Sequence, residues 1–235
     1  GHVHVAPAPA AHALVARVSW SLAAKLPDVV RRLRAQLDLD ASPATVAAHL
    51  RPDLLLRAHV DAHPGTRLPG AFDPFESVVR AILGQQVSVA AATTLAGRLA
   101  ARFGRPLATE EPGVDRTFPT APELARVAAT DVAAAIGLPA ARARTLVEVA
   151  RGVAERRIDV AEEADREATL RALLAIPGVG PWTAQYVAMR VLRWPDAFPA
   201  GDLGVRKALG VTTARAAEAR AESWRPWRGY AVMHL

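Results

Sequence analysis

The residues most able to do chemistry fall between positions 173 and 202. Leu173-Leu174-Ala175-Ile176-Pro177-Gly178-Val179-Gly180-Pro181-Trp182-Thr183-Ala184-Gln185-Tyr186 reads as a helix, a four-residue Pro-Gly-Val-Gly hairpin and a second helix starting at Pro181. Gly178 and Gly180 permit a tight backbone, and their N–H groups, beside the positive end of the second helix, form a site for an anion such as a phosphate. The plain alternative is a Gly-rich turn with no ligand. Trp182 and Tyr186 are four apart and share a helix face, where they either pack in the core or offer an electron-rich surface to a cation. Asp202 follows Pro199 and Gly201, at the point where a helix over 203–209 should begin. On spacing alone it is an N-cap worth ~1 kcal/mol. A carboxylate at a helix start stays ionised at neutral pH, and such a group can also stabilise an oxocarbenium-like transition state and direct a water.

Composition narrows that chemistry. The 235 residues are 51% hydrophobic and 22% charged, with five tryptophans and no apolar run long enough for a membrane span. The absence of cysteine excludes disulfides, Cys-ligated zinc, iron–sulfur clusters and a thiol nucleophile. Seven histidines show no i, i+4 pair, so no side-chain metal site is expected. A net charge of +6 favours polyanions, although an Ala- and Arg-rich composition accounts for much of it. Lys25 and Lys207 are the only lysines, and neither is near the hairpin. The opening Gly1-His2-Val3-His4-Val5 lacks the long apolar stretch of a signal peptide, which points to a cytoplasmic protein with no membrane partner.

The elements that must hold these residues are mainly helical. His2–Ser19 alternates as strands do, and residues 21–37 read as one amphipathic helix. Asp73-Pro74-Phe75-Glu76 starts a helix running toward Gly84, and Ser88 caps another that reaches Phe103 and closes at Gly104. Further helices are expected from Thr120 with Glu123, from Thr130 to Gly137, from Pro139 to about Arg156, and from Asp165 to Ala175. Residues 105–119 and 157–164 read as linkers, and Trp224 and Trp227 as core.

Position by position, Leu-x-x-Ile-Pro-Gly-Val-Gly-x-x-Thr-Ala matches the helix-hairpin-helix DNA-binding motif. With Asp202 about twenty residues beyond it, the chain resembles the helix-hairpin-helix (HhH-GPD) DNA glycosylase superfamily. Gly84-Gln85-Gln86-Val87-Ser88 and Trp224-Arg225-Pro226-Trp227-Arg228 make residues 50–235 similar to the 3-methyladenine DNA glycosylase II (AlkA-type) family. The resemblance implies a mainly α, two-lobed helical fold with a truncated TATA-binding-protein-like α/β remnant at the front. It places the remnant at 1–49, one helical lobe at 50–73 plus 195–235, and the hairpin-bearing lobe at 74–194.

The same resemblance implies an activity: hydrolytic excision of alkylated purines from double-stranded DNA, by base flipping, in a monomeric cytoplasmic enzyme. Asp202 would be catalytic and Trp182 and Tyr186 would line the pocket for the base. Gln86, where close relatives carry an apolar residue, would be the wedge that fills the flipped base's place, with Ser88 beside it. Pro177, Gly178, Val179, Gly180 and Thr183 would contact DNA, and the backbone carbonyls of Leu174, Ile176 and Val179 would hold a monovalent cation, Na or K, with no other cofactor required. The lyase-competent branch carries a lysine where this chain has Trp182, so an imine mechanism lacks its nucleophile. Some family members are fused behind an alkylation-response regulator, and another pocket aromatic follows the segment matching Tyr230–His234. Two other readings stand beside this one: a non-catalytic DNA-binding or damage-sensing module, and a glycosylase for oxidised or deaminated bases.

Overall fold

The computed structural model describes residues 1–8, 13–109, 111–161 and 163–235. Strands β1 (Val3–Ala8) and β2 (Ala13–Val18) pair antiparallel, from Val3 opposite Val18 to Ala8 opposite Ala13, as the alternation requires. Residues 9–12, between them in sequence, lie outside the described residues. The single helix expected over 21–37 divides in two: a 3-10 turn, Trp20–Lys25, leads into α1 (Leu26–Gln36). Pro27 has no N–H to give the Ala23 carbonyl, so an α-helical ladder cannot run through it; Leu26 N–H takes that carbonyl instead.

The remaining helices follow the punctuation closely. After α2 (Pro43–Leu50) and α3 (Arg57–Ala62), α4 (Pro74–Leu83) begins where Asp73 accepts the Glu76 N–H at 2.9 Å. Ser88 accepts the Ala91 N–H at 3.2 Å and starts α5 (Val89–Phe103). Gly104 ends that helix for a steric reason, since a Cβ there would lie 1.9 Å from the Thr117 carbonyl oxygen. The supposed linker 105–119 in fact folds back on itself, with Leu107 N–H donating to Asp115 O at 2.7 Å and Thr117 N–H to Arg105 O at 2.9 Å; Glu110 lies outside the described residues. The other linker, 157–164, likewise contributes to the core through buried Ile158, with Glu162 outside the described residues.

Helix α6 (Ala121–Ala125) carries the expected capping box of Thr120 and Glu123. Helix α7 (Ala129–Ile136) starts one residue before Thr130, with Ala128 at the cap, because the first turn closes through Asp131 N–H to Ala128 O at 3.0 Å. Helices α8 (Ala140–Ala154) and α9 (Arg166–Leu174) precede the hairpin, α10 (Pro181–Arg190) follows it, and α11 (Leu203–Ala208), α12 (Ala214–Arg220) and α13 (Arg228–His234) complete the chain. Among the described residues no helix is long and apolar enough to cross a membrane.

Burial is organised around two cores. One gathers Val78, Ile82, Leu99, Leu146 and Leu173 from α4, α5, α8 and α9. The other gathers Leu50, Leu56, Phe198, Trp224 and Tyr230. Helix α10 belongs to both: Val187 packs in the first, Ala188 and Met189 in the second, and Tyr186 against each. Trp224 is fully buried, as expected, whereas Trp227 is half-buried and packs edge-on against Tyr230 at 5.6 Å.

Two carboxylates, Asp38 buried and Asp53 half-buried, tie distant segments into the second core. Asp38 accepts Leu68 N–H at 2.9 Å and the Tyr230 hydroxyl at 2.6 Å, joining the end of α1 to α13; burial first, and then that bond to a carboxylate, raises the Tyr230 hydroxyl far above its ordinary range. Asp53 accepts from Arg220 Nη1 at 2.9 Å and Trp224 Nε1 at 2.8 Å. Burial pushes the Asp53 carboxyl up, but bonds from Arg220, Trp224 and the Leu55 N–H outweigh it and bring it to about 2. A carboxyl lowered on folding stabilises the fold fully above its unfolded value and loses that contribution as pH falls toward its folded one, here about 2 kcal/mol at neutral pH. Asp53→Asn should therefore lower the thermal midpoint at pH 7, and the gap from the parent protein should close between pH 4 and pH 2 in a melting series.

Candidate active site

The hairpin backbone is set by two neighbours, Thr145 and Gln85. Gly178 has φ +93, and a Cβ on it would meet Thr145 Oγ1 at 2.2 Å, so this position needs glycine on two counts. Thr145, buried on α8, donates its hydroxyl to the Pro177 carbonyl at 2.8 Å. From the loop between α4 and α5, Gln85 Nε2 donates to the Gly178 carbonyl at 3.0 Å and to Thr183 Oγ1 at 2.9 Å. Val179 packs inward, and its N–H closes the turn onto Ile176 O at 3.0 Å.

This bracing leaves donors pointing outward. Gly180 caps α10 without a side chain, so the first helical N–H groups take no side-chain acceptor. Among the described residues the N–H groups of Gly178, Gly180, Trp182 and Thr183 have no acceptor. They lie at the positive end of the ten-residue α10, a combination suited to a phosphate. Pro177 and Gly178 are exposed, as a contact surface requires. The Thr183 side chain is buried and turned to Gln85, which leaves its N–H for an outside anion.

Twenty residues on, Asp202 divides its carboxylate between two tasks. Oδ1 accepts Gly204 N–H at 2.8 Å and Val205 N–H at 3.2 Å, which is the helix cap that spacing predicted. Oδ2 accepts the indole Nε1–H of Trp182 at 2.9 Å. The tryptophan ring stacks on Tyr186, centroids 5.5 Å apart and planes inclined by 27°. Both rings are half-buried and lie beside a fixed anion. The bland reading and the chemical one are thus compatible, since each uses a different oxygen.

The loop carrying Asp202 is held from both sides. Gln185 Oε1, on α10, accepts Phe198 N–H at 3.0 Å. From α13, Arg228 donates Nε to Asp196 Oδ1 at 2.8 Å and Nη2 to Asp196 Oδ2 at 2.9 Å, with both side chains no more than 10% exposed. Arg228 also lies over the Phe198 ring at 5.8 Å. Thr145, Gln185 and Asp196 were not legible as site residues, and Gln85 and Arg228 were read only as parts of stretches that carry the resemblance: each acts on a partner distant in sequence.

Gln86, the expected wedge, is exposed at the tip of the α4–α5 loop with φ +56. Ser88 is exposed as well, although its hydroxyl is engaged at the α5 cap. The carbonyl oxygens of Leu174 and Val179 accept no hydrogen bond from the described residues, and that of Ile176 accepts one. Such neutral oxygen donors suit a monovalent cation.

Comparison with known proteins gives the following. The AlkA N-terminal domain model matches residues 1–73, and the HhH-GPD superfamily base excision DNA repair protein model matches residues 79–228. The chain is 44% identical over 208 residues to the probable bifunctional transcriptional activator/DNA repair enzyme AlkA of Mycobacterium tuberculosis, covering 87% of this chain but only 41% of that protein. It is 35% identical to DNA-3-methyladenine glycosylase 2 of Escherichia coli, over 100% of this chain and 80% of that one. The 3-methyladenine DNA-glycosylase structure from Archaeoglobus fulgidus superposes with a TM-score of 0.78 at 24% identity, covering 99% of this chain and 80% of that chain, which speaks to the fold.

The two hairpin glycines should respond differently to one methyl group. Gly178→Ala should destabilise the protein by about 1–3 kcal/mol through clash and left-handed strain. Gly180→Ala, with nothing within 4 Å of the added carbon, should stay within about 1 kcal/mol of the parent. Denaturant midpoints measure both, and the reverse order would contradict the bracing described.

Proposed function

The chain belongs to the HhH-GPD superfamily of base excision DNA repair proteins, behind an AlkA N-terminal domain, and on that premise we propose that it excises alkylated purines from duplex DNA by hydrolysis. One observation carries the reading: a carboxylate oxygen fixed 2.9 Å from the indole of a half-buried aromatic pair. An anion set beside an electron-rich surface suits a substrate that is cationic both in its base and, during reaction, in its sugar.

The proposed sequence of events begins at the hairpin. A backbone phosphate docks on the outward N–H groups of Gly178, Gly180, Trp182 and Thr183. The damaged nucleotide rotates out of the stack, and Gln86 enters the space it leaves. An N3- or N7-alkylated purine, already positive, stacks on Trp182 and Tyr186 with a cation–π gain of roughly 0.5 to 2 kcal/mol. As the bond from C1′ to the base breaks, its electron pair leaves with the base and neutralises it. Positive charge then develops on the sugar, where Asp202 stabilises it; water adds to C1′ and gives its proton to Asp202. Trp182 holds the carboxylate through Oδ2, and the α11 amides fix Oδ1, so little reorganisation is needed when charge appears.

A monovalent cation on the carbonyls of Leu174, Ile176 and Val179 would supply further positive charge to the same phosphate. The absence of an amine supports hydrolysis over a lyase route: Trp182 is no nucleophile, and Lys207 lies at the far end of α11 from Asp202. The fitted partner is duplex DNA carrying alkylated bases, bound by a single chain.

Asp202→Asn tests the assignment with little damage to the fold, because asparagine still caps α11 through its amide oxygen while losing both the charge and the acceptor for the Trp182 indole. Release of 3-methyladenine under single-turnover conditions should fall about a hundredfold or more, with DNA affinity equal or tighter. Near-parental release would remove Asp202 from the mechanism, and a parent protein that binds DNA but frees no methylated base would favour the non-catalytic module. Borohydride should trap no covalent complex, and product strands should break only after alkali. A trapped adduct would return the lyase route.

A further inference from the structure

Gln85 joins the loop that carries Gln86 to the hairpin that binds phosphate, across 93 residues of sequence. Its side chain is half-buried, and its amide nitrogen spends both hydrogens on that hairpin, one on the Gly178 carbonyl at 3.0 Å and one on Thr183 Oγ1 at 2.9 Å. A carbonyl can only accept, so the nitrogen and not the oxygen of the amide must face it. The two acceptors flank the outward N–H groups of the phosphate site on either side. Gln86, the next residue along, is held with φ +56, a conformation a non-glycine side chain keeps only when its surroundings enforce it.

We infer that Gln85 is a positioning residue, a strut that fixes the Gln86 wedge at a set distance from the phosphate-binding hairpin so that phosphate capture and wedge insertion share one register along the duplex. This rests on the glycosylase reading and on Gln86 as the wedge. The physical basis is rigidity: among the described residues the loop's other hydrogen bonds run to α4 and α5, whereas the phosphate would sit on α10 and its hairpin. A wedge misplaced by about an ångström would meet a stacked base rather than the gap, the kind of error that lowers rate more than affinity.

The test uses the whole chain and three readouts: single-turnover release of 3-methyladenine at saturating enzyme, affinity for undamaged duplex, and fluorescence of 2-aminopurine beside an abasic-site analogue, which reports wedge insertion without any chemistry. Gln85→Leu should cut release and the fluorescence change about tenfold, as loss of two neutral hydrogen bonds would, while affinity for undamaged duplex moves less than about threefold. In a Gln86→Ala background the same change should have under about twofold effect, because no wedge remains to be placed. Equal losses in both backgrounds, or affinity falling as far as release, would make Gln85 merely structural and overturn the inference.

Gln85→Glu covers the case in which the leucine variant folds poorly. Ionised, it sets a carboxylate against the Gly178 carbonyl; protonated, it regains an O–H donor. Its release rate relative to the parent should therefore rise as pH is lowered from 7.5 to 5, and a flat ratio would count against the strut. A parent that frees no methylated base but gives the fluorescence change defeats the glycosylase reading and leaves the strut to the fluorescence cycle. If Gln86→Ala inserts as the parent does, the wedge and the strut fall together.

Discussion

The buried pair of Asp196 and Arg228 is the constraint on which the site depends. Two charged side chains sit in the second core with no more than 10% of their surface exposed, matched through both carboxylate oxygens and reinforced by Arg228 Nη2 to the Asp196 carbonyl at 2.8 Å. Arg225 reaches the same carboxylate and Glu218 the same guanidinium, so neither charge is left uncompensated. A pair of this kind adds little net stability over apolar packing, yet removing one partner costs about 3–5 kcal/mol. Its value here is positional: it binds the stretch from Pro195 to Asp202 to the last helix, and hence fixes where the carboxylate of Asp202 stands.

The opposite wall of the site is α10, and it is shared. The same ten-residue helix contributes to both cores, begins at the Pro-Gly-Val-Gly turn and carries the aromatic pair. An anion site, an electron-rich face and, through Gln185, a tether on the Asp202 loop are therefore set by one rigid body. The indole-to-carboxylate bond closes the arrangement across the seam between the two cores.

The basic charge of the chain plays a lesser role than its number suggests. Among the described residues, most arginines in ion pairs meet carboxylates on the exposed surface, at interactions worth about 0–1 kcal/mol each. The features best suited to a phosphate are uncharged backbone N–H groups at a helix start, which position a strand without reading its sequence.

Much of this was legible in the sequence, and the reason is that it was local. Caps at Asp73, Ser88, Thr120 and Asp165, the glycine stops at 104 and 137, the hairpin at 177–180 and the cap at Asp202 all depend on residues within about four positions of one another, which is the range over which backbone geometry is decided. Where local signals competed, the sequence misled: Pro27 split a helix whose apolar periodicity ran straight through it, and residues 105–119 paired with themselves despite reading as a linker. Only the tertiary structure decided which oxygen of Asp202 caps a helix and which faces Trp182, that Gln85 spans 93 residues to the hairpin, and that Asp196 and Arg228 meet in the core. Such contacts leave no periodicity to read, because their spacing along the chain is set by how the helices pack and not by the repeat of any one of them.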